Sequence, residues 1–563
     1  YVKQKVFDLS ITAWESYTKT LDPLPLAWLK RVKSKPGDIC MVDASEEKLT
    51  RRRFAAATLA FSGAMNLDPD AENVGLLLPA SNAASIANMA VLLMGRVAVN
   101  LNFSAPAAAV NAGIVEAGIK QVFTSRQFET RLAARGADFS AMLAGTEIIY
   151  MEDIKETIPQ WRLILSLLQI QLLPAELIYS LKGVPRKLED PAAILFSSGS
   201  EGKPKGVVLS HRNIQSNCKQ ISDVLNTRVD DVVIASLPPF HAFGLTVTLI
   251  MPLIEGVPVA CHPDPTDVLG IAQTVAKYRA TILFGTATFL SLYARNRKVA
   301  PVMLDSLRFV VAGAEKLPEK VRRDFQLKFN KFILEGYGAT ETTPVASVNV
   351  PDAVDTSDWK IQVGGLKGSV GMPLPGTSFK VVDPDTRREL PLGEDGMILI
   401  SGNQVMLGYL NDEAKTSEVI FEQDGMRWYV TGDKGHISPE GFLIIVDRYS
   451  RFAKIGGEMV SLGAVEEAAR SVLEGDSEAD LAAAAVADAK KGEKIIMLVT
   501  SDKLQSELRE KMIAAGVAPL MIPSQLICVQ EIPKLGSGKT DFSALNKLAG
   551  EMTHGASAPA NSS

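Results

Sequence analysis

The sequence predicts an α/β fold. A large N-terminal domain of stacked, mainly parallel sheets with helices would carry a small β-barrel-like subdomain, followed by a small, mobile α+β C-terminal domain. Three observations carry this. First, short apolar runs bounded by turn residues read as buried strands: 74–78 (VGLLL), 122–124, 192–196, 232–237, 281–284 and 309–312. Second, stretches of helical composition, such as 83–94 and 107–117, alternate with those runs, as parallel sheets require. Third, the texture changes beyond about Gly364, where glycine, proline and short β-rich runs (379–382, 397–400, 442–446) suggest an antiparallel or barrel-like unit. From Arg448 a second compact unit begins, with helix-like 464–473 and 503–515 and strand-like 495–499. The expected boundaries are 1–447, 448–548 and a disordered tail, 549–563.

Composition narrows the class. A chain of 563 residues, 47% hydrophobic and 22% charged, has the balance of a soluble globular protein with more than one domain. A net charge of −5 supplies no basic field, so nucleic acid is not an expected partner. The four cysteines, Cys40, Cys218, Cys261 and Cys528, form no CxxC pair, which argues against a disulfide scaffold or a zinc site and for a reducing cytoplasm. The chain opens on Tyr1 without an initiator Met or a signal peptide, and reads as one part of a larger protein.

The strongest chemical signal runs from Phe196 to Gly206, FSSGSEGKPKG, directly after a strand-like run. Glycines let backbone N–H groups approach phosphate oxygens, hydroxyls add donors and lysines neutralise charge. A flexible surface turn has the same composition, so the loop alone decides nothing. Near the C-terminus, LGSGKT (535–540) imitates the end of a Walker A loop. Pro533 occupies its first glycine position, and too little chain follows for a βαβ unit, so a P-loop NTPase is rejected. His262 and Asp267 match the HxxxxD spacing of glycerolipid acyltransferases without a downstream partner motif, and that site is rejected too.

Further motifs follow the glycine-serine loop in order: EGYGATE (335–341), YVTGD (429–433), the stretch 448–458 and PKLGSGK (533–539). Together they resemble the acyl-CoA synthetase, adenylation-domain and luciferase superfamily, over roughly 51–548. FSSGSEGKPKGVVLSHRNI, SLPPFHAFGLT, LFGTATFL, VVAGAEKL and RFAKIGGEMVSL are most similar to the acyl–acyl-carrier-protein synthetase domain of bifunctional 2-acylglycerophosphoethanolamine acyltransferases. That resemblance implies ATP-dependent activation of a long-chain fatty acid as an acyl-AMP, with Mg²⁺. The acyl group would then pass to the thiol of acyl carrier protein, feeding lysophospholipid reacylation. It also implies an upstream acyltransferase domain and a location at the inner face of the cell membrane.

The resemblance assigns roles residue by residue. Ser197, Ser198, Gly199, Ser200, Lys203 and Lys205 would hold the β- and γ-phosphates, and Thr340 the α-phosphate. Glu341 would bind Mg²⁺, although an isolated acid there would serve equally at a helix N-terminus. Tyr337 would stack on adenine, its flanking glycines giving a flat ligand access, with Gly313, Ala314 and Glu315 on the other side of the base. Asp433 would accept hydrogen bonds from the ribose, supported by Arg448; a turn role fits the Thr-Gly-Asp context as well. Lys539 would reach the α-phosphate and the substrate carboxylate during adenylation. His241, Phe240, Phe243, Gly285 and Thr286 would line the acyl site, where a packed structural histidine is an equal reading of His241. Lys454, Gly456 and Gly457 would line the thiol channel after the small domain turns about Ser450, where the family commonly has Asp or Lys. Arg451, Lys454, Lys490, Lys491 and Lys494 are candidates for docking an acidic carrier protein. Competing functions are a long-chain fatty acyl-CoA synthetase, a catalytically silent membrane scaffold, and oxidative use of the acyl-AMP as in luciferases.

Residues 161–181, WRLILSLLQIQLLPAELIYSL, fall outside these motifs. The segment is too short and too often interrupted by polar residues to span a bilayer. Two readings stand: a buried core helix, or a helix lying on a membrane or a partner, with Trp161 and Tyr179 at the water–lipid boundary.

Overall fold

The computed structural model describes residues 10–14, 16–44, 46–198, 204–455, 458–473, 480–488, 492–534 and 540–555. Two large sheets build the N-terminal domain. One runs Gly408–Tyr409, Pro204–Ser210, Pro191–Ser198, Val97–Asn100, Asn73–Leu76, Gln121–Thr124, Glu147–Tyr150. Its last five strands pair in parallel, and Pro204–Ser210 folds back antiparallel as a hairpin on Pro191–Ser198. The other has nine strands, with a parallel centre formed by Ile333–Gly338, Phe309–Ala312, Ile282–Gly285, Val233–Ala235, Val259–Cys261 and Ile39–Val42. Central strands such as Phe309–Ala312 are buried along their whole length. That is why they read as continuous apolar runs rather than alternating ones.

Helix His211–Val224 lies in the largest core cluster, which takes residues from both sheets. Ile214, Cys218 and Ile221 give it an apolar side. Among its other buried residues, which are polar, two asparagines are spent on backbone groups. Asn217 Nδ2 donates to the Val345 carbonyl at 2.7 Å and Asn217 Oδ1 accepts from Val345 N at 3.1 Å. Asn213 Nδ2 donates to the carbonyls of Asn403 and Val405 at 2.7 and 2.8 Å. A buried amide satisfied on both sides fixes the chain it touches. Here that chain is the strand Val345–Val348 and the segment entering Gly408–Tyr409, which flank the candidate site.

The antiparallel unit follows, as expected. Strand Met426–Ile437 pairs with Gly396–Ser401, Ile420–Gln423 and Leu443–Arg448. The C-terminal unit is α+β. Its sheet centres on Gly492–Val499, and helices Leu462–Ser471, Asp502–Ala514 and Phe542–Gly555 pack on it. It has its own core, including Val465, Met497 and Leu508. A surface ion pair, Lys316 Nζ to Glu467 at 2.8 Å, joins it to the large domain.

Segment 161–181 is not a buried helix. It forms two helices, Gln160–Leu172 and Ala175–Lys182, broken where Pro174 cannot continue the first. Only Ser166 and Ile170 of the first are buried. Tyr179 is buried, and its hydroxyl accepts from Arg186 N at 3.0 Å, so it does not stand at a boundary. All four cysteines are free thiols. His262 and Asp267 form a capping pair: Asp267 Oδ1 accepts from Gly270 N at 3.0 Å, starting helix Val268–Tyr278, and His262 lies 3.3 Å from the other oxygen.

Candidate active site

Strand Ile333–Gly338, which pairs with Val345–Val348, carries Tyr337 in the nine-stranded sheet. The glycines beside it answer to the neighbouring strand rather than to a ligand. A Cβ on Gly338 would lie 1.7 Å from the Pro344 carbonyl oxygen, and one on Gly336 would lie 3.2 Å from that of Ser347. The chain then enters the short 3-10 turn Thr340–Thr342, which presents Thr340 and Glu341, both half-buried.

Asp433 arrives from the antiparallel unit. The register of Met426–Ile437 against Gly396–Ser401 shifts between Met397 and Leu399, facing 431–433, and Gly432 sits at φ +76°. An inserted bulge of this kind re-aims a side chain. So Thr431-Gly432-Asp433 is an irregularity inside a strand, not a turn. Tyr337 Oη donates to Asp433 Oδ2, and Arg448 Nε donates to Oδ1 at 3.1 Å from the paired strand. Burial raises the Asp433 carboxyl above the usual aspartate range, and the Arg448 charge opposes that rise. Burial, then Asp433, pushes the Tyr337 hydroxyl far up, so it stays a donor.

Tyr409 has a role the sequence reading missed. Its hydroxyl donates to Glu341 Oε1 at 2.9 Å, and Lys205 Nζ lies 5.6 Å from its ring centroid. Burial, then Glu341, raises this phenol too, which keeps the proton on it. The main chain reinforces the link, since Met406 N donates to the Glu341 carbonyl at 2.8 Å. The available signal was the short strand Gly408–Tyr409 beside Pro204–Ser210; a lone Gly-Tyr pair is too common to be read by itself.

The remaining expected residues fall into three groups. Ser197 pairs with Lys205, and Ser198 with Pro204, at the end of the hairpin. Gly199, Ser200, Lys203, Gly456, Gly457, Lys490, Lys491 and Lys539, with 556–563 of the expected tail, lie outside the described residues. The first part of that tail, 549–555, is not disordered but completes helix Phe542–Gly555, because Ala549 is buried against the C-terminal sheet. In the acyl group, Phe243 packs edge-on to Phe284 at 5.7 Å, and a Cβ on Gly313 would meet its ring at 3.3 Å. The aromatic expected beside the acid thus lies against the loop expected beside adenine. Ala314 of that loop is left-handed at φ +76°, a conformation costly for a residue with a Cβ. Glu315 accepts from Thr288 N, and Thr286 caps the same helix, Ala287–Arg295, so both have structural work of their own. Gly285 packs under Leu290. Phe240 turns away and stacks edge-on to Phe103 at 4.8 Å. His241 Nδ1 accepts from Phe243 N at 3.3 Å. In the C-terminal unit, Lys454 is exposed on strand Phe452–Ile455. Arg451 is not available for docking: it pairs with Glu466 at 2.7 Å and Asp447 at 3.6 Å and stacks on Phe542 at 4.0 Å.

The donor set suits a nucleotide and a hard cation. A carboxylate, an aromatic ring, a hydroxyl and a lysine converge where strands of the two large sheets and of the antiparallel unit meet. Glu341 uses one oxygen for Tyr409 and keeps lone pairs for a metal of the Mg²⁺ type, which prefers one or two carboxylates plus phosphate and water oxygens.

Residues 28–410 match the family described as AMP-binding enzyme. The chain belongs to that family. Two relatives illustrate the likeness. The long-chain-fatty-acid–CoA ligase of Escherichia coli O6:H1 is 29% identical over 356 residues, 62% of this chain but only 60% of that protein. The long-chain-fatty-acid–CoA ligase of Salmonella typhimurium is 26% identical over 529 residues, 88% of this chain and 89% of that protein. Among solved structures, ATP-bound MatB from Rhodopseudomonas palustris superposes with a TM-score of 0.77 at 24% identity, covering 94% of this chain and 100% of that one. This AMP-binding enzyme therefore has the α/β fold of the adenylate-forming superfamily, with a smaller C-terminal domain.

Proposed function

We propose that this AMP-binding enzyme is a fatty acid–thiol ligase. The observation that carries the reading is the meeting of Lys205 and Glu341 on Tyr409, beside the Tyr337–Asp433–Arg448 cluster. Asp433 takes the ribose hydroxyls of ATP, Tyr337 faces the base, and Lys205 neutralises the phosphates. Glu341 would hold Mg²⁺, which would supply Lewis-acid screening of the phosphate charge. In the first step a carboxylate oxygen attacks the α-phosphorus and pyrophosphate leaves. In the second a thiol sulfur attacks the acyl carbon, AMP leaves, and the thiol proton goes to solvent. Two anions must meet in the first step, so fixed cationic and donor groups there lower the barrier most. Lys539 supplies one such cation in this reading.

The acid is a long-chain fatty acid, in keeping with the names of the relatives. The acceptor is the phosphopantetheine thiol of acyl carrier protein, on the strength of the motif resemblance, with an acyltransferase domain upstream. The relatives' names favour a second reading, coenzyme A. Incubation with ATP, Mg²⁺ and a fatty acid panel, offering carrier protein and coenzyme A in separate reactions, tests both. Carrier protein is acidic, so transfer to it should weaken with ionic strength faster than acyl-AMP formation does, through Lys454 and Lys494. Turnover with coenzyme A and none with carrier protein overturns the first acceptor. No fatty-acid-dependent pyrophosphate release overturns the ligase itself.

A further inference from the structure

The helix Gln160–Leu172 wears its hydrophobicity on the wrong side for a soluble protein. Its inner face packs on helix Arg51–Ser62. That face is fastened by polar bonds: Arg162 to the Gly63 carbonyl at 3.0 Å, Lys33 to the Ile170 carbonyl at 2.8 Å and Arg52 to Gln171 at 3.2 Å. The outer stripe is Trp161, Ile164, Leu165, Leu168 and Leu172, between 41% and 73% exposed. At about 100° per residue these five fall within roughly 100° of arc, opposite Ser166 and Ile170. After the break at Pro174 the pattern continues, with Leu177 and Leu181 outward while Ala175, Ile178 and Tyr179 face in. An ordinary surface helix has the reverse arrangement, and a contiguous apolar patch of this kind marks an interaction surface.

We propose that this face docks on the surface of an anionic lipid bilayer. Three features select lipid over a protein. The stripe is a convex ridge about 20 Å long, from the 1.5 Å rise of a helix, which suits a deformable partner rather than a fixed groove. It is aliphatic with a tryptophan at one end, as helices lying in the headgroup boundary are. Exposed basic residues border it: Arg52 and Arg53 beside the first helix, and Lys182 and Lys187 beyond the second. Nearby Glu176 is held 3.5 Å from Lys30. No helix among the described residues is long and apolar enough to cross a membrane, so the contact is peripheral. The proposal does not rest on the ligase reading.

Sedimentation of the full chain with vesicles tests it. Wild type should pellet with phosphatidylcholine vesicles containing phosphatidylglycerol and much less with phosphatidylcholine alone. Leu168→Glu with Leu172→Glu should lower the bound fraction about tenfold or more at an unchanged melting temperature. A brominated acyl chain should quench Trp161, with Trp161→Phe as the blank. If the double variant fails to fold, Leu172→Gln, at the most exposed position, gives the same reading through quenching alone. Wild type that stays in the supernatant with every vesicle overturns the proposal. So does a variant that binds as well as wild type, or a concentration-dependent dimer that the variant abolishes without any lipid binding.

Discussion

The proposed nucleotide cluster and the C-terminal unit are built on opposite principles. In the first, Tyr337, Asp433 and Arg448 come from two strand systems and are already bonded to one another, with Glu341 clamped by Tyr409. In the second, Lys454 stands exposed on a sheet with its own core, joined to the large domain by the exposed Lys316–Glu467 pair and, at the junction, by buried Asp447, which accepts from Ser461 Oγ at 2.7 Å and Gly463 N at 2.8 Å. Preorganised groups cost nothing to align at the moment of reaction, whereas a unit with its own core can present different faces without breaking that core. Under the proposed two-step reaction, binding would fall to the preorganised region and alternation between half-reactions to the unit with its own core.

Lys539→Ala puts the most strain on that division. Removing one donor to the transition state typically costs about 100- to 1,000-fold, and fatty-acid-dependent pyrophosphate exchange should fall by that much. Thioester formation from supplied acyl-AMP should change far less. Equal loss of both half-reactions in a folded variant would break the comparison. Asp433→Ala comes next. Hydrogen bonds to charged groups are worth about 1.5–3 kcal/mol each, so loss of two at the ribose should lower kcat/KM for ATP about 100-fold or more, whichever thiol is offered.

Tyr409→Phe sharpens the rigid side. It keeps the ring near Lys205 and removes the donor to Glu341. Groups that orient a metal ligand typically carry about 10- to 100-fold in metal affinity, so the Mg²⁺ concentration for half-maximal exchange should rise about tenfold. A second readout is direct Mn²⁺ binding in the presence of ATP, which should weaken in parallel. An unchanged Mg²⁺ dependence would reduce Tyr409 to packing.

Smaller effects separate burial from charge. Burial raises the Asp433 carboxyl, so the folded chain holds that proton more tightly than the unfolded chain does. The stabilisation is full below the ordinary aspartate range and is lost as pH rises through the folded value. Asp433→Asn removes the ionisation, so its melting temperature should gain on wild type as pH rises from about 4. A gap that stays constant with pH would show that Arg448 fully offsets the burial. Smallest of all is Lys316→Ala. Exposed pairs contribute little, so its melting temperature should match wild type and both half-reactions should stay within about twofold. A large loss in thioester formation alone would show that this surface pair, and not only the Asp447 junction, positions the C-terminal unit.

The two regions also differed in how far they could be read from sequence. The central strands were legible because both faces are buried, leaving continuous apolar runs such as 309–312. The motifs led to Tyr337, Asp433 and Arg448, which the fold brings together from distant segments. Asn213 and Asn217 were not legible, because a polar helix residue reads as a surface one until its buried backbone partners are known. Arg451 was misread for the same reason: a charge in sequence does not show that Asp447 and Glu466 surround it. Periodicity gives a helix a face but not the direction that face looks, which is why 160–172 could be taken for core.

With Asp433 at the ribose as proposed, its bond from Tyr337 bears on sugar selectivity. Asp433 Oδ2 takes a proton from Tyr337 and Oδ1 one from Arg448, both supplied by the fold. A nucleotide lacking one ribose hydroxyl therefore strands no buried carboxylate. Large discrimination arises when a missing substrate hydroxyl leaves a buried polar group unpaired. Here the penalty shrinks to the hydrogen bond itself, so this enzyme should distinguish ATP from dATP only modestly, and Tyr337→Phe should make it more selective rather than less.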